Sequence, residues 1–432
     1  MGLGGFINLV NGTTHTWRLS WVHSYQMEAW DGSFPATLAP GQQQRCYVEV
    51  SDGFFEEISD DAAEVNYTLD GTPYGFQLQM RTTAALQPSL NVVWNDTPSG
   101  FYVFPPPIAG GAPAAVGWVH DGTVSMGVFE SAGRKGPMPT LASGTAPWAG
   151  WMGLYSAFLA DMPLCALSLP GTHDSGTYDM VTPLTGYTVC QSLDFAGQLA
   201  AGARHFDMRV GYQPDETGDQ QLILVHEDWR TEVTLAQALA QLAGFLDDNP
   251  SEVVILDFHR FTDFAAGGTT FDDPGFPYGT LASVIKDKLS GRLVPCNGRN
   301  PCATPLSELQ GQPGQRVLVS FNTGYYSDPA IWPPVAQMWA GSSSEANTTD
   351  GLSAFIAATL AGTLPTGLWT FQAAISNPPL VGPQSLSPDI DNWFYGGSDW
   401  GTRSNIVATD FIETTALTPN SICTSLWKAS RR

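Results

Sequence analysis

Over roughly the first 135 residues, apolar and polar positions alternate in short runs with a period of two. The runs 16–22, 46–50, 76–80, 90–94 and 101–104 are also rich in aromatic and β-branched residues, which predicts strands with one buried and one wet face. Helical periodicity is absent there, so an antiparallel all-β sandwich is expected over 1–140. Pro105 to Ala115 reads as a loop, 116–120 as a further strand, and Lys135-Gly136-Pro137-Met138-Pro139-Thr140 as a boundary.

From Trp148 the pattern changes to apolar runs followed by helical stretches. Candidate core strands are 164–169, 205–210, 222–226, 253–258, 317–321, 368–373 and 406–411. Residues 234–246 repeat apolar positions at three and four, an amphipathic helix closed by Asp247-Asp248-Asn249-Pro250. Polar residues end many of the runs, as they do at the C-terminal rim of a parallel barrel. The expected class is therefore α/β: an irregular, TIM-barrel-like fold over 141–432 behind the sandwich. Seven strands stand where a full barrel needs eight, so one is expected either within the less regular region 323–400 or as a degenerate strand. The link between Arg209 and Leu222 is too short for a complete crossover helix.

Composition narrows the partners. Only 14% of residues are charged, yet the formal net charge is -23, which repels nucleic acid and gives no general attraction to anionic bilayers. The 45 glycines and 32 prolines predict many turns and long loops. No run approaches the about 20 apolar residues of a membrane helix, and the start of the given chain has no classical signal peptide. Glycosylation-type triplets at Asn11, Asn66, Asn95 and Asn347 leave both extracellular and cytoplasmic settings open. Of six cysteines, Cys296 and Cys302 bracket a glycine-containing loop suited to a local disulfide.

The chemistry gathers at the ends of runs. His173 and Asp174 follow one and His226 ends another, with Arg204-His205-Phe206-Asp207-Met208-Arg209 between them. Two imidazoles near neutral pKa suit paired acid–base work, and a guanidinium fork suits a phosphate. Alternation puts His205 on the face of Asp207, where packing is the expected role.

These residues carry a resemblance. Leu169-Pro170-Gly171-Thr172-His173-Asp174-Ser175-Gly176-Thr177, Gly202 through Arg209, Val225-His226, and Phe245 through Leu256 are similar, in order, to the X domain of phosphatidylinositol-specific phospholipase C in its bacterial type, over roughly residues 148–415. The resemblance implies His173 as general base on a hydroxyl beside the phosphate and His226 as general acid on the departing oxygen. It implies Asp174 as the acid supporting the leaving group, Asp207 and Arg209 as the acid and the phosphate-binding arginine of the second strand, and Asp410 as the carboxylate orienting His173. Attack by the neighbouring hydroxyl then gives a cyclic phosphodiester with no covalent enzyme intermediate. Calcium-dependent relatives carry a carboxylate where this chain has Arg209, so neither metal nor other cofactor is expected.

On the headgroup side the chain offers His259, Arg260, Asn322 and Gln372 as substrate-binding candidates. Substrates consistent with this set are a phosphoinositide, a glycosyl-inositol lipid or a related phosphodiester, met at a peripheral membrane surface if Trp332, Trp339, Trp393, Phe394 and Tyr395 are exposed. Rival readings are a glycerophosphodiesterase or other soluble-phosphodiester hydrolase, and a catalytically altered lipid- or glycan-binding protein. Oligomeric state is not legible.

Overall fold

The computed structural model describes residues 3–51, 60–82, 87–95, 100–130, 138–142, 145, 147–265, 274–341, 347–375 and 382–432. The expected boundary at 135–140 falls partly outside them, as does the serine-, threonine- and asparagine-rich stretch 341–350, whose composition predicts an exposed loop.

The N-terminal part is built of β1 (Leu3–Gly12), β2 (Trp17–Tyr25), β3 (Met27–Ala29), β4 (Thr37–Leu38), β5 (Gln43–Val50), β6 (Ala62–Leu69), β7 (Gly75–Thr82), β8 (Pro88–Trp94), β9 (Phe101–Phe104), β10 (Ala114–Ala115) and β11 (Thr123–Glu130). They form one sheet ordered β3-β5-β1-β11-β9 and another ordered β10-β8-β7-β6-β2-β4. In β7 every second residue from Phe76 is buried, the pattern that made it legible; β6 alternates in the same way but was not foreseen. β1 and β11 were not foreseen, and 116–120 is no strand. The reason is burial on both faces: β11 is buried throughout except its last residue, because the C-terminal helix Leu417–Ser430 covers the outer side of this sheet. Buried on two sides, a strand loses its alternation. The cover is close: a Cβ on Gly396 would lie 2.8 Å from Cys423 Sγ and 2.9 Å from Ser125 Cβ, so only glycine fits.

The second part holds a single nine-stranded sheet: β12 (Leu169–Thr172), β13 (His205–Tyr212), β14 (Leu222–His226), β15 (Trp229–Thr234), β16 (Val254–Asp263), β17 (Val317–Phe321), β18 (Ala336–Met338), β19 (Trp369–Ala373) and β20 (Ile406–Thr409). Seven of these run parallel in the order β18-β19-β20-β12-β13-β16-β17. The sheet curls into an open half-barrel, and a single parallel bridge, Ser320 to Trp332, brings the approach to β18 beside β17. β18 is the strand expected in 323–400. Two expectations are corrected. Residues 222–226 are no barrel strand; β14 returns antiparallel to β13 as a hairpin, which is why the link from Arg209 is short. The run at 164–169 is a 3-10 turn over Leu164–Ala166, and pairing begins only at Leu169.

The helix Leu235–Asp248 forms as expected. Thr234 and Gln237 close a reciprocal capping box at its start, and Leu235, Leu239, Leu242 and Leu246 face the core. Cys165 pairs with Cys302, not Cys296 with Cys302; Cys296 is a buried free thiol. The antiparallel bridge between Pro163 and Pro305 brings those two distant segments together. Among the described residues no helix is long and apolar enough to cross a membrane.

Candidate active site

The parallel strands end at one level. Thr172 pairs with both Phe206 and Thr409, and Asp207 with Asp257, so His173, Asp207 and Asp410 emerge on one rim. β13 then continues past the rim and its hairpin partner β14 comes back, returning His226 to the same layer. The hairpin, not a crossover, delivers the second histidine.

Arg209 is the hub. Its Nη2 lies 2.7 Å from His173 Nε2 and 3.0 Å from Asp207 Oδ2, and its Nη1 lies 3.1 Å from Asp174 Oδ2. Burial works against the guanidinium's charge, but Asp174 and Asp207 together raise its hold on the proton. His173 Nδ1 sits 2.7 Å from Asp410 Oδ1. With that nitrogen donating to the carboxylate, Nε2 is left as the acceptor for Arg209, which is the tautomer a general base requires.

Asp174 adopts a left-handed backbone (φ 42°), held by its own N–H donating to Asp207 Oδ2 at 3.0 Å. This turn points its carboxylate between Arg209 and His226, whose Nδ1 is 3.4 Å away. Burial pushes the Asp174 carboxyl up to about 7 against the pull of Arg209. His226 donates Nδ1–H to the Thr188 carbonyl at 2.8 Å, and burial, reinforced by Arg209, lowers its ring to about 4. The unliganded His226 is therefore neutral near pH 7.

The headgroup candidates divide. Arg260 pairs with Arg209 across the β13–β16 ladder and is half-buried at the rim, and Asn322 directly follows β17. His259 and Gln372 point inward. His259 is only 3% exposed, with Nε2 2.9 Å from Asp207 Oδ1 and Nδ1 3.8 Å from Asp257 Oδ2. Burial alone would lower its pKa, but the two aspartates raise it to about 9. Gln372 donates to Gln337, which donates to Asp257 at 2.5 Å; Ser320 and His205 complete this buried network at 2.8 and 3.4 Å from Asp257. His259 and Gln372 are thus supports of Asp207 and Asp257, not surfaces for a headgroup.

Asp257 was missed, although alternation with His259 marks an acid inside a buried strand. Gln191 was missed too. It ties the rim by donating to the His173 and Thr409 carbonyls, and it comes from an irregular segment that carries no periodic signal. Neighbouring Cys190 is fully buried with Sγ 3.9 Å from His226 Nδ1. Two donor sets that share it, His173–Cys190–Asp410 and Asp174–Cys190–His226, are close enough to hold a metal ion, although Arg209 presses against Asp174 in the second.

Of the five aromatics whose exposure was left open, Trp332 and Phe394 are buried, Trp393 and Tyr395 half-buried, and only Trp339 is largely exposed. Other apolar side chains take that place. Val181, Leu184, Trp229 and Tyr325 are exposed on segments that leave the same end of the sheet as His173 and His226.

No family model matches the chain. Mouse PI-PLC X domain-containing protein 2 is 27% identical over 337 residues, spanning 67% of this chain and 93% of that protein. Mouse PI-PLC X domain-containing protein 1 is 28% identical over 253 residues, spanning 51% of this chain and 66% of that one. Among solved structures, phosphatidylinositol-specific phospholipase C from Listeria monocytogenes aligns over 63% of this chain and 98% of its own at 18% identity and a TM-score of 0.46. The fold described above rests on strand order and register, not on that last likeness.

Proposed function

We propose that this chain, which is similar to PI-PLC X domain-containing proteins, is a phosphodiesterase that cleaves an inositol-type phosphodiester by intramolecular attack of a neighbouring hydroxyl. The observation that carries the reading is the convergence of His173 and His226 on the Arg209–Asp174 pair. Residues 1–140 are read as a β-sandwich and 141–432 as the catalytic irregular barrel.

In this reading His173 Nε2 takes the proton from the attacking hydroxyl while Asp410 stabilises the imidazolium that forms. Arg209, buried and held by two carboxylates, meets the charge on the phosphoryl oxygens, its Nη2 turning from His173 Nε2 to the phosphate as the attacking hydroxyl takes that nitrogen. Oxygen attack on phosphorus closes a five-membered cyclic phosphodiester and expels the alcohol oxygen, which takes its proton from His226. The ring is neutral in the free site; a bound phosphodiester anion offsets Arg209, raises the ring's proton affinity, and the Asp174 carboxyl beside Nδ1 stabilises the resulting charge. Every step uses protein groups, so turnover without added metal is part of the proposal. Val181, Leu184, Trp229, Tyr325 and Trp339 supply exposed apolar surface beside the site, which suits a substrate presented at a lipid surface despite the chain's net charge of -23.

The test is phosphorus NMR of the chelator-treated protein with phosphatidylinositol, a glycosyl-inositol lipid and glycerophosphoinositol. We expect a transient cyclic phosphate from the inositol lipids, abolished in His173→Ala and in His226→Ala. Direct appearance of an acyclic monoester, or a need for added calcium, would overturn the mechanism.

A further inference from the structure

At the opposite end of the sheet lies a wide-mouthed cavity of about 800 Å³ with a different character. Its walls include Ser404, which precedes β20, and Cys165 and Ala166, which precede β12; the far ends of these same strands lead to Asp410 and His173. Four of the chain's 18 lysines and arginines, Arg403, Lys428, Arg431 and Arg432, line it against one carboxylate side chain, Asp399. In a chain of net charge -23 such a gathering of cations is not a sample of the average surface.

Lys428 is the telling residue. Its ammonium has three donors, yet it makes one hydrogen bond, to the Ser404 carbonyl at 2.9 Å, and has no carboxylate within 4 Å among the described residues. Burial, reinforced by Arg432, lowers its pKa to about 7. Lys428 is half-buried, and a partly desolvated cation beside three arginines without a counter-ion is costly; an anion in the cavity would remove the cost. Capping of the helix Leu417–Ser430 does not account for the cluster. Lys428 donates to a different segment, Arg431 donates to the Gly41 carbonyl across the seam, and Arg403 arrives on the helix Asp399–Arg403, where Asp399 lies 3.7 Å away.

We propose that this cavity is a second, non-catalytic site that binds a phosphate-class dianion, with Lys428 as its central contact and Arg403, Arg431 and Arg432 around it. The recognised chemistry is a phosphomonoester. It is carried either by a soluble phosphorylated compound or by a lipid headgroup, and the site can be filled while the catalytic rim is engaged elsewhere.

Calorimetric titration of the intact protein with inorganic phosphate, at ionic strength held constant with sodium chloride, tests it. Wild type should bind saturably, and Lys428→Met should bind at least about tenfold more weakly. A parallel arm measures sedimentation with zwitterionic vesicles with and without phosphatidic acid. Phosphatidic-acid-dependent capture of wild type but not of Lys428→Met makes the source a lipid; phosphate binding without such capture makes it a solute. Should Lys428→Met not fold, Arg431→Gln, a change at an exposed side chain, replaces it with the same expectation. The proposal is overturned if wild type shows neither response, or if the variant matches wild type in both. None of these readouts involves turnover, so failure here leaves the phosphodiesterase reading untouched.

Discussion

His259 shows how a single residue's role depends on what surrounds it. Its ring is clamped between Asp207 and Asp257, and its pKa of about 9 in the fold lies above the ordinary value of ~6.5. A raised cation pKa stabilises the fold fully below about pH 6.5, and that contribution is lost as pH climbs through 9. We expect His259→Gln to abolish a pH-dependent loss of about 1–3 kcal/mol between pH 6.5 and 9. Urea melts of both proteins at the two pH values give the difference; identical pH dependence in the variant would refute it. The catalytic candidates were legible because each sits where an apolar run stops. His259 and Gln372 also end or interrupt such runs, so position alone marked them as rim residues. Which acids face them across neighbouring strands is a property of register, and no local pattern carries it.

At the scale of elements, the start of β13 is anchored by an ion pair. Arg204, at its base, is fully buried and donates Nε and Nη2 to Glu252 Oε2 at 2.9 and 2.6 Å. Glu252 also accepts the N–H groups of Met152 and Gly153, so one carboxylate joins β13 to the short helix Trp151–Leu154. Glu252→Ala leaves a buried guanidinium uncompensated, at a cost of ~3–5 kcal/mol. We expect a value near the lower end, because Arg204 keeps bonds to the Leu199 and Ala203 carbonyls. A denaturant-measured loss under about 1 kcal/mol would show the pair to be dispensable. The helix Leu235–Asp248 was readable in the sequence because its cap, its period and its closing proline are all local. The β13–β14 hairpin was not, since 222–226 is as continuously apolar as a parallel strand; only the shortness of its link hinted at the return.

At the scale of the whole molecule, the N-terminal sheets and the half-barrel are not hinged beads. The helix Leu417–Ser430 is buried from Leu417 to Trp427, packed between β11 and β12. Polar bonds cross the same seam: Asn420 donates to the Thr123 carbonyl at 2.8 Å, Asn8 to the Gly396 carbonyl at 2.7 Å, and Asn392 to the Asp121 carbonyl at 2.8 Å. Separation would expose apolar and hydrogen-bonded surface together. We therefore expect the two parts to unfold in one cooperative transition, with calorimetric and van't Hoff enthalpies agreeing. Two resolved transitions would show the seam to be weak. What the chain's own order of residues determined was the division into a strand-rich part and a mixed part, the amphipathic helix, and the identity of the histidines, aspartates and arginine at the site, because periodicity, caps and motifs act over a few residues. Tertiary structure alone decided the doubly buried strands β1 and β11, the partner of Cys302, the inward turn of His259, and the cationic cavity at the far end. Each of these depends on segments more than a hundred residues apart, or on neighbouring strands, meeting in one register, and burial and charge pairing take their values only once they meet.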